Sequence, residues 1–338
     1  MRYYELTITP QSTDSPADVK QMLCTGVKSN NKQSTQKPII FSSLNKDGSN
    51  NLNAIQIDFD LPINGFHDPV GNANNAYIRL SGVPLSLIRQ SRDINNAQIE
   101  IQAGMSKGLP LANPEQRGLI LSGQVFQAFG NWQGENTSLD IIVMGLQMTQ
   151  GNYTFQWKKG DKMMSMIEQV LKRNHPGYTV KSKIKDNLVL SNDETGAYST
   201  IGQFARYVWN TSKSIVTDLG YQGVSILVQG KTIIVQDGSS QKKPKDIKYV
   251  DIIGQPTWIG VGQMQLRVNI RADLFTGDFI KIPESAVKQT SKSMQGFSKN
   301  KTSFNGTFQV VGLRHLGNFR QPDANSWVTV IDCLEQAG

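Results

Sequence analysis

Strict alternation of apolar and polar residues near the C-terminus is the feature that most constrains the fold. In the segment QLRVNIR, residues 265–271, Leu266, Val268 and Ile270 alternate with four polar residues. Successive side chains of a β-strand point to opposite faces of the sheet, so a period of two places the three apolar groups on one side. The segment therefore predicts a strand with one face in a protein core and the other in water.

Residues 1–150 carry several further runs of this kind. Alternation is clearest where Ile55, Ile57 and Phe59 are separated by polar residues. We predict strands at residues 3–8, 54–61, 76–80, 97–103, 119–129 and 139–146. This part of the chain is therefore expected to be all-β, with long connections between the strands.

Residues 151–245 change from strand to helix patterns. We predict helices at residues 162–173 and 200–210, a hairpin of strands 224–228 and 232–236, and a linker at 238–244. Met163 and Met166 fall on the apolar stripe of the first helix. We interpret them as core residues rather than as part of a cofactor site.

Residues 246–338 return to β patterns and resemble part of the first segment. A hairpin that opens at Gly306 and closes in a β-branched strand from Ser326 parallels one that opens at Gly123 and closes from Ser138. Unrelated hairpins can produce such a likeness by chance. The residues alone therefore leave duplication and coincidence both open.

Three polar segments carry too little apolar surface to pack by themselves. They are residues 28–36, 45–53 and 284–305, which are rich in Asn, Ser, Lys and Gln. Such segments order when they contact another molecule. We expect them to act as contact arms in an assembly.

The positive charge is concentrated in the middle of the chain. The net charge is +8, and residues 151–245 hold 14 of the 35 Lys and Arg but 7 of the 27 Asp and Glu. These lysines are scattered over helix, loop and linker instead of being interleaved with aromatic residues on one element, so specific nucleic-acid readout is not predicted. A solvated surface is favoured over an acidic protein partner, DNA or the bacterial envelope.

The sequence does not indicate a membrane protein, a disulfide-stabilised protein or a zinc-binding protein. No run of about 18 apolar residues is present and the N-terminus lacks a signal-peptide pattern, so we expect a soluble chain without a transmembrane segment. Cys24 and Cys333 lie far apart, without a CxxC or Cys/His cluster. We predict structural thiols, with neither a disulfide framework nor a zinc site.

No group of residues predicts catalysis. His67, His175 and His315 fall in different predicted domains, and no nucleophile elbow, phosphate-binding loop or dinucleotide fingerprint is present. Asp58 and Asp60 share one strand face and could form a carboxylate pair, but alternation alone gives the same pattern. An outward polar face is favoured over a subunit salt bridge or an acid/base pair. We predict no catalytic, cofactor-binding or metal-binding residues, no cofactor, and no enzymatic activity.

The C-terminal third carries a recognisable series of motifs. The strand of residues 265–271 is followed by GDFIKIP, a long insert, the run from Gly306 through Phe308 and Val310 to His315, and the WVT that starts at Trp327. This series resembles the C-terminal barrel of the baseplate hub proteins of contractile-tail bacteriophages, the Mu-like and T4-like hub family. The resemblance is specific over about residues 266–334.

The resemblance implies a mainly β fold with an α+β insertion. Two tube-like β-barrel domains, residues 1–150 and 246–338, would flank a small α+β middle domain with linker, residues 151–245. In that family the hub is a homotrimer below the tail tube, with two barrels per chain in a ring of six positions and a trimeric spike beneath. The implied partners are the tail tube protein, the central spike protein and other baseplate proteins, with the tape measure protein as a further candidate. The implied location is the virion, after synthesis in the host cytoplasm.

The residues alone indicate a structural part of an assembly, and the resemblance implies an adaptor between the sixfold tail tube and the threefold central spike. The leading rival is a tail-associated peptidoglycan-degrading enzyme that uses the basic middle domain to hold an anionic wall. It requires a cleft with at least two carboxylates of shifted pKa in residues 151–245. A third alternative, a nucleic-acid-binding protein, requires an affinity that falls steeply with salt.

Overall fold

The computed structural model describes residues 2–10, 37–67, 75–106, 113, 116–146, 151–217, 221, 223–238, 243–260, 262–282 and 306–335. The protein is mainly β with large antiparallel sheets, as the sequence predicts. The predicted contact arms at residues 28–36 and 284–305 lie outside the described residues, as does Cys24. The third predicted arm is described and forms a hydrogen-bonded turn, in which Asn45 donates from its backbone to Ser49 O over 2.8 Å.

The described residues form eighteen strands and three α-helices. The strands are β1 (Arg2–Thr9), β2 (Ile39–Ser42), β3 (Gln56–Ile63), β4 (Asn75–Ser81), β5 (Gln98–Met105), β6 (Gly118–Gln133), β7 (Asn136–Met144), β8 (Tyr153–Trp157), β9 (Thr179–Lys183), β10 (Glu194–Tyr198), β11 (Ser225–Gln229), β12 (Thr232–Gln236), β13 (Lys245–Asp246), β14 (Thr257–Gly260), β15 (Gln263–Asn269), β16 (Phe279–Lys281), β17 (Thr307–Asn318) and β18 (Trp327–Glu335). The helices are α1 (Leu85–Arg89), α2 (Met163–Asn174) and α3 (Ile201–Ile215), and short 3₁₀ turns occupy Ser91–Ile94, Tyr249–Asp251 and Ala324–Ser326.

Both helices predicted for the middle of the chain are present. The hydroxyl of Thr200 caps α3 by accepting a hydrogen bond from the backbone N–H of Gln203. This helix ends at Ile215, later than predicted, because Ser212 continues the buried stripe of Phe204 and Val208. The predicted methionines of α2 are buried in the core.

One sheet of thirteen strands runs through most of the molecule. Its main path is β14-β15-β18-β17-β3-β4-β7-β6-β5-β1-β2, and β13 and β16 extend it beside β17. All neighbours on the main path are antiparallel. The sheet therefore contains strands from both ends of the sequence.

The two ends of the sequence meet where β3 pairs with β17. In this pairing Phe59 lies opposite Gly317. A Cβ atom on Gly317 would stand 2.2 Å from Cζ of Phe59. The ring therefore covers the glycine, and a side chain at this position would displace the ring.

A second link between the two ends involves the first strand. Arg2 on β1 donates a hydrogen bond to the carbonyl of Asn318 over 2.6 Å. Trp327 on β18 donates from its indole N–H to the carbonyl of Gly104 on β5 over 3.0 Å. Trp327 also packs edge-on against Phe59 and belongs to the same apolar core as the N-terminal strands. Side chains thus bring β1 and β5 against the C-terminal hairpin, although no strand pairing joins them.

The middle of the chain is an α+β segment that supplies most residues of one apolar core. Strands β11, β12 and β9 form a three-stranded sheet, and β8 pairs with β10. Helices α2 and α3 pack on these strands around Trp157 and Phe204, both fully buried. Leu227 and Ile234, by contrast, join the apolar core of the C-terminal strands. The middle segment is therefore packed onto the C-terminal part of the large sheet.

The division into domains at residues 1–150, 151–245 and 246–338 stays a prediction. The pairing of β3 with β17 joins strands of the first and third ranges in one sheet. The described residues form three apolar cores, and each mixes residues from at least two of the three ranges: Trp327 lies in the first core, Leu146 in the second and Ile63 in the third.

Candidate assembly surface

The three histidines singled out from the sequence have three separate environments. His175 is buried and its Nε2 lies 2.8 Å from the hydroxyl of Tyr153; burial lowers its pKa to about 4. His315 is fully buried on β17, with Nδ1 2.9 Å from the hydroxyl of Thr329, and burial also lowers its pKa to about 4. His67 stacks on Trp209 beside α3. His175 and His315 thus each contact the hydroxyl of a buried residue, which fits a role in core packing.

The aspartates of β3 take part in local polar contacts. Asp60 is bridged by Arg314 of β17, whose Nε donates over 2.7 Å. Asp58 accepts from the side chain of Gln56 over 3.3 Å. This ion pair lies within the chain, across the β3–β17 pair, and is distinct from the salt bridge between subunits considered from the sequence.

A buried polar junction joins the middle segment to the C-terminal strands. Lys183 of β9 and Lys245 of β13 each contact the carboxylate of Asp278 at 2.9 Å. Burial acts to raise the pKa of Asp278, but hydrogen bonds from the two lysines outweigh it and hold the pKa below its usual value. The charge of Asp278 is compensated on two sides, which fits a structural role at this junction.

The described residues meet the requirements of neither a metal cluster nor a membrane-spanning helix. No group of three or more His, Cys, Asp or Glu side chains within the described ranges could hold a metal ion. In the same part of the chain, no helix is both long and apolar enough to cross a membrane. Cys333 is a free, buried thiol whose pKa is raised by burial.

The feature that stands out is a five-strand unit that occurs twice. Unit one consists of β3 to β7 and has the spatial order β3-β4-β7-β6-β5. Unit two consists of β14 to β18 and has the order β14-β15-β18-β17-β16. In both, the first strand is followed in space by the second, fifth, fourth and third, and all neighbours are antiparallel. The strand order thus extends the similarity of the two hairpins to five strands.

A β-bulge in the long hairpin strand fixes how the units align. The register of β6 shifts between Val125 and Gln127, and that of β17 shifts between Val310 and Gly312. The extra residues, Phe126 and Val311, are apolar and about half exposed, at 49% and 48%. Counting from the bulges makes Val125 the counterpart of Val310. The alignment of Gly123 with Gly306 expected from sequence is therefore shifted by two residues, which preserves the face to which each side chain points.

The second strands of the two units match under this alignment. Strand β4 buries Ala76, Ile78 and Leu80, and β15 buries Met264, Leu266 and Val268. Arg79 and Arg267 occupy equivalent outward positions. The burial patterns of the two strands agree at six of seven positions, with only Tyr77 and Gln265 differing in exposure.

The units differ in which edges are covered. The first strand of unit one, β3, pairs with residues 313–318 of β17. The first strand of unit two, β14, has β15 as its one strand partner among the described residues. The part of β6 equivalent to residues 313–318 is residues 128–133, which pair with β7 and with no second strand in the described parts of the chain. This kind of edge thus pairs with a strand once within the chain, and at two places it has no second strand among the described residues. On β6 the backbone N–H of Ala128 donates instead to the side chain of Asn95 over 3.0 Å.

Exposed apolar side chains lie at both open edges. On β6, Phe129 is 43% and Trp132 is 64% exposed; on β14, Trp258 is 40% and Ile259 is 53% exposed. No charged residue occurs in residues 128–133 or 257–260. Edge strands that never gain a second strand partner commonly carry charged side chains that prevent association. Uncharged, apolar edges therefore indicate surfaces that another protein surface covers.

Sequence reasoning missed these surface residues. The strand predicted for residues 119–129 ended before Trp132, because Gly130 and Asn131 have turn composition. In the structure β6 continues to Gln133, and the turn falls at Gly134, which has a positive φ of 58°. Gly130 instead makes room for Ile88 of α1: an added Cβ would lie 2.8 Å from the carbonyl oxygen of Ile88.

Comparison with known proteins gives structural likenesses at very low identity, among them two tail proteins. No protein-family model and no curated protein matches the sequence. A tail protein from Neisseria meningitidis is similar in structure, with 9% identity, a TM-score of 0.46 and coverage of 83% of this chain and 96% of the other. A 43 kDa tail protein of prophage MuSo2 from Shewanella oneidensis has 8% identity, a TM-score of 0.47 and coverage of 83% and 98%. Since both TM-scores are below 0.5, we derive the function from the residues of this chain.

Proposed function

We propose that the protein is a structural component of a contractile bacteriophage tail, a baseplate hub that acts as a homotrimeric adaptor between the sixfold tail tube and the threefold central spike. The observation that carries the proposal is the five-strand unit repeated within one chain. Three chains with two similar units each supply six similar positions. A ring of this kind can match a sixfold tube on one side and a threefold spike on the other.

The C-terminal motifs support the same assignment. The motif strands fall in unit two: residues 265–269 lie in β15, Phe279–Lys281 is β16, and Thr307–Asn318 and Trp327–Glu335 form the hairpin. His315 and Thr329, which belong to these motifs, contact each other in the core. The histidine is therefore used for packing and a cross-strand hydrogen bond, which fits a scaffold protein.

The proposed partners follow from this role. They are two further copies of the chain, the tail tube protein, the central spike protein, other baseplate proteins and, as a further candidate, the tape measure protein. The proposed location is the tail baseplate of the virion, and we propose no cofactor and no enzymatic activity. We also propose that residues 1–150 and 246–338 form the two tube-like domains, with residues 151–245 between them.

The number of copies in the assembly tests the proposal. Native mass spectrometry of the purified 37.5 kDa chain should give a species of three copies. Electron cryo-microscopy of tails that contain the chain should show three copies in one ring, with six similar units between tube and spike. Six copies per ring, or a position outside the tail, would contradict the proposal.

A further inference from the structure

The contact between β3 and β17 is a template for a contact between molecules. It joins the first strand of unit one to the outer half of the long hairpin strand in unit two. The equivalent first strand, β14, and the equivalent half of β6 are present in the same chain, and both lack this second strand partner among the described residues. One chain thus contains one complete strand pairing of this kind and both of the strands that a second such pairing would need.

We infer that β14 of one copy pairs in antiparallel fashion with residues 128–133 of β6 in a second copy of this chain. The inference rests on the proposed ring, since head-to-tail contacts close a ring when the rotation between copies is a simple fraction of a turn. It adds to that proposal the two strands that meet and their register. The occupant of each open edge is therefore the other edge of a neighbouring copy.

The register follows from the equivalence of the units. In unit one, Asp60 of the first strand lies opposite Tyr77 of the second. In unit two, Thr257 of the first strand lies opposite Gln265 of the second. The alignment at the bulges makes Tyr77 and Gln265 equivalent. Thr257 is therefore the counterpart of Asp60. Counting from the bulges in the same way makes Asn131 the counterpart of Leu316.

Inside the chain Asp60 lies opposite Leu316. The same geometry sets Thr257 of one copy opposite Asn131 of the next, and Trp258 opposite Gly130. Trp258 and Gly130 are the counterparts of Leu61 and His315, which lie opposite each other within the chain. Neither edge carries a charge that would have to be desolvated, and pairing would bring Phe129, Trp132 and Ile259 toward a neighbouring copy.

A cysteine pair tests the register in the full-length chain. Residues directly opposite in an antiparallel pair have Cα atoms about 4.5–5.5 Å apart, within the range that a disulfide bridges. Asn131 and Thr257 are both exposed, so replacing them should leave the fold intact. The double variant Asn131→Cys with Thr257→Cys, after mild oxidation, should give cross-linked dimers and trimers on a non-reducing gel and revert on reduction.

Three controls make the outcome specific. The wild type reports on Cys24 and Cys333, and each single variant should remain unlinked. Dimers from Asn131→Cys alone would indicate that two β6 edges meet symmetrically, and would overturn the inference. Monomers only from the double variant, at a concentration where native mass spectrometry shows trimers, would overturn the strand contact while leaving the trimer standing. Cross-linked chains longer than trimers would support the strand contact and contradict the ring of three.

A second variant tests the contact without a disulfide. Ile259→Lys places a charge on the β14 edge and should weaken self-association about tenfold or more, because the ammonium group would be desolvated in the joint. Val311→Lys is the matched control, since Val311 is similarly exposed but lies on β17, whose two edges are already paired within the chain. Equal loss of association in both variants, or in neither, would contradict the inference.

Discussion

Unit one and unit two share a strand order but use the connection between their second and third strands differently. In unit one this connection contains α1, and Ile88 packs against Gly130 of the unit's own hairpin. In unit two it contains Arg271 and Asp278, and the latter binds Lys183 of the middle segment. The two units thus share a strand framework but differ in this connection, which covers a strand in unit one and holds a neighbouring segment in unit two.

The hairpins show the same division of roles. His315 of unit two is the counterpart of Gly130 of unit one when the strands are aligned at their bulges. The histidine fills its space with its own side chain and bonds Thr329, whereas the glycine leaves space that α1 fills. A conserved strand order therefore does not require conserved packing, and the two units should respond differently to equivalent substitutions.

Among equivalent positions of the two units, Trp327 and its counterpart Thr137 should differ most in how much an alanine substitution lowers the free energy of unfolding. Trp327→Ala should lower the free energy of unfolding by about 3–5 kcal/mol, because a large buried ring and its hydrogen bond to Gly104 are lost at the contact between the two ends of the chain. Thr137→Ala removes one hydrogen bond to Val83 and should cost about 1 kcal/mol. Urea denaturation of the two variants measures both. Similar losses would mean that Trp327 does not link the units energetically.

Acid should affect unit two through His315. Its pKa is lowered to about 4 in the folded chain, against about 6.5 for an unfolded histidine, so the unfolded state binds more protons between these values. The stability that this neutral histidine contributes is complete above pH 6.5 and is lost as the pH falls from about 6.5 to 4, by roughly 2–3 kcal/mol.

Replacing His315 by Asn tests this dependence. Asn can still bond Thr329 but does not titrate, so the variant should lose less stability than the wild type between pH 7 and pH 4.5. His175→Asn is a control for the middle segment, where burial also lowers the histidine pKa to about 4. An unchanged pH profile in the His315 variant would show that the imidazole is not the group that titrates.

Alanine substitutions at two glycines compare the stability of the contact between the units with that of a contact inside one unit. Gly317→Ala would bring a Cβ to 2.2 Å from the ring of Phe59, and Gly130→Ala would bring one to 2.8 Å from the Ile88 carbonyl. Each substitution should lower the free energy of unfolding by about 1–3 kcal/mol, since overpacking forces neighbouring atoms to move. Gly312→Ala is the control, because its nearest neighbour would be at 3.4 Å. A loss in the control as large as in the other two would indicate a general effect of glycine replacement.

Local patterns predicted many of the elements but not their pairing, and the helix α1 and the strand β14 were missed. The alternation of residues 265–271 predicted a strand, and β15 covers residues 263–269 with Leu266 and Val268 buried as expected. The joint between β3 and β17 brings together residues such as Asp60 and Arg314, about 250 positions apart, and no local period encodes such a contact. The two-residue correction to the hairpin alignment has the same origin, because a bulge is defined by the partner strand.

The sequence did not predict the candidate assembly surface, for a related reason. Apolar residues such as Phe129 and Ile259 fit a half-buried strand pattern, so the sequence does not distinguish an edge that is covered within the chain from one that is open. Only the strand order shows that β14 and the outer half of β6 lack a second partner within the described residues. The resemblance in the C-terminal motifs indicated an assembly, and the strand order indicated where its edges lie.

The smallest effect is expected at the polar face of β3. Asp60 and Arg314 form a largely exposed ion pair across the β3–β17 joint, and such pairs contribute about 0–1 kcal/mol. The double variant Asp58→Asn with Asp60→Asn should therefore unfold within about 1 kcal/mol of the wild type and assemble with the same number of copies. The same preparations should release no soluble fragments from peptidoglycan, because neither aspartate is paired with a second catalytic group. Release by the wild type that these substitutions abolish would overturn both the structural assignment of this face and the proposed scaffold role. Release that survives them would place an active site elsewhere in the chain and favour the peptidoglycan-degrading alternative.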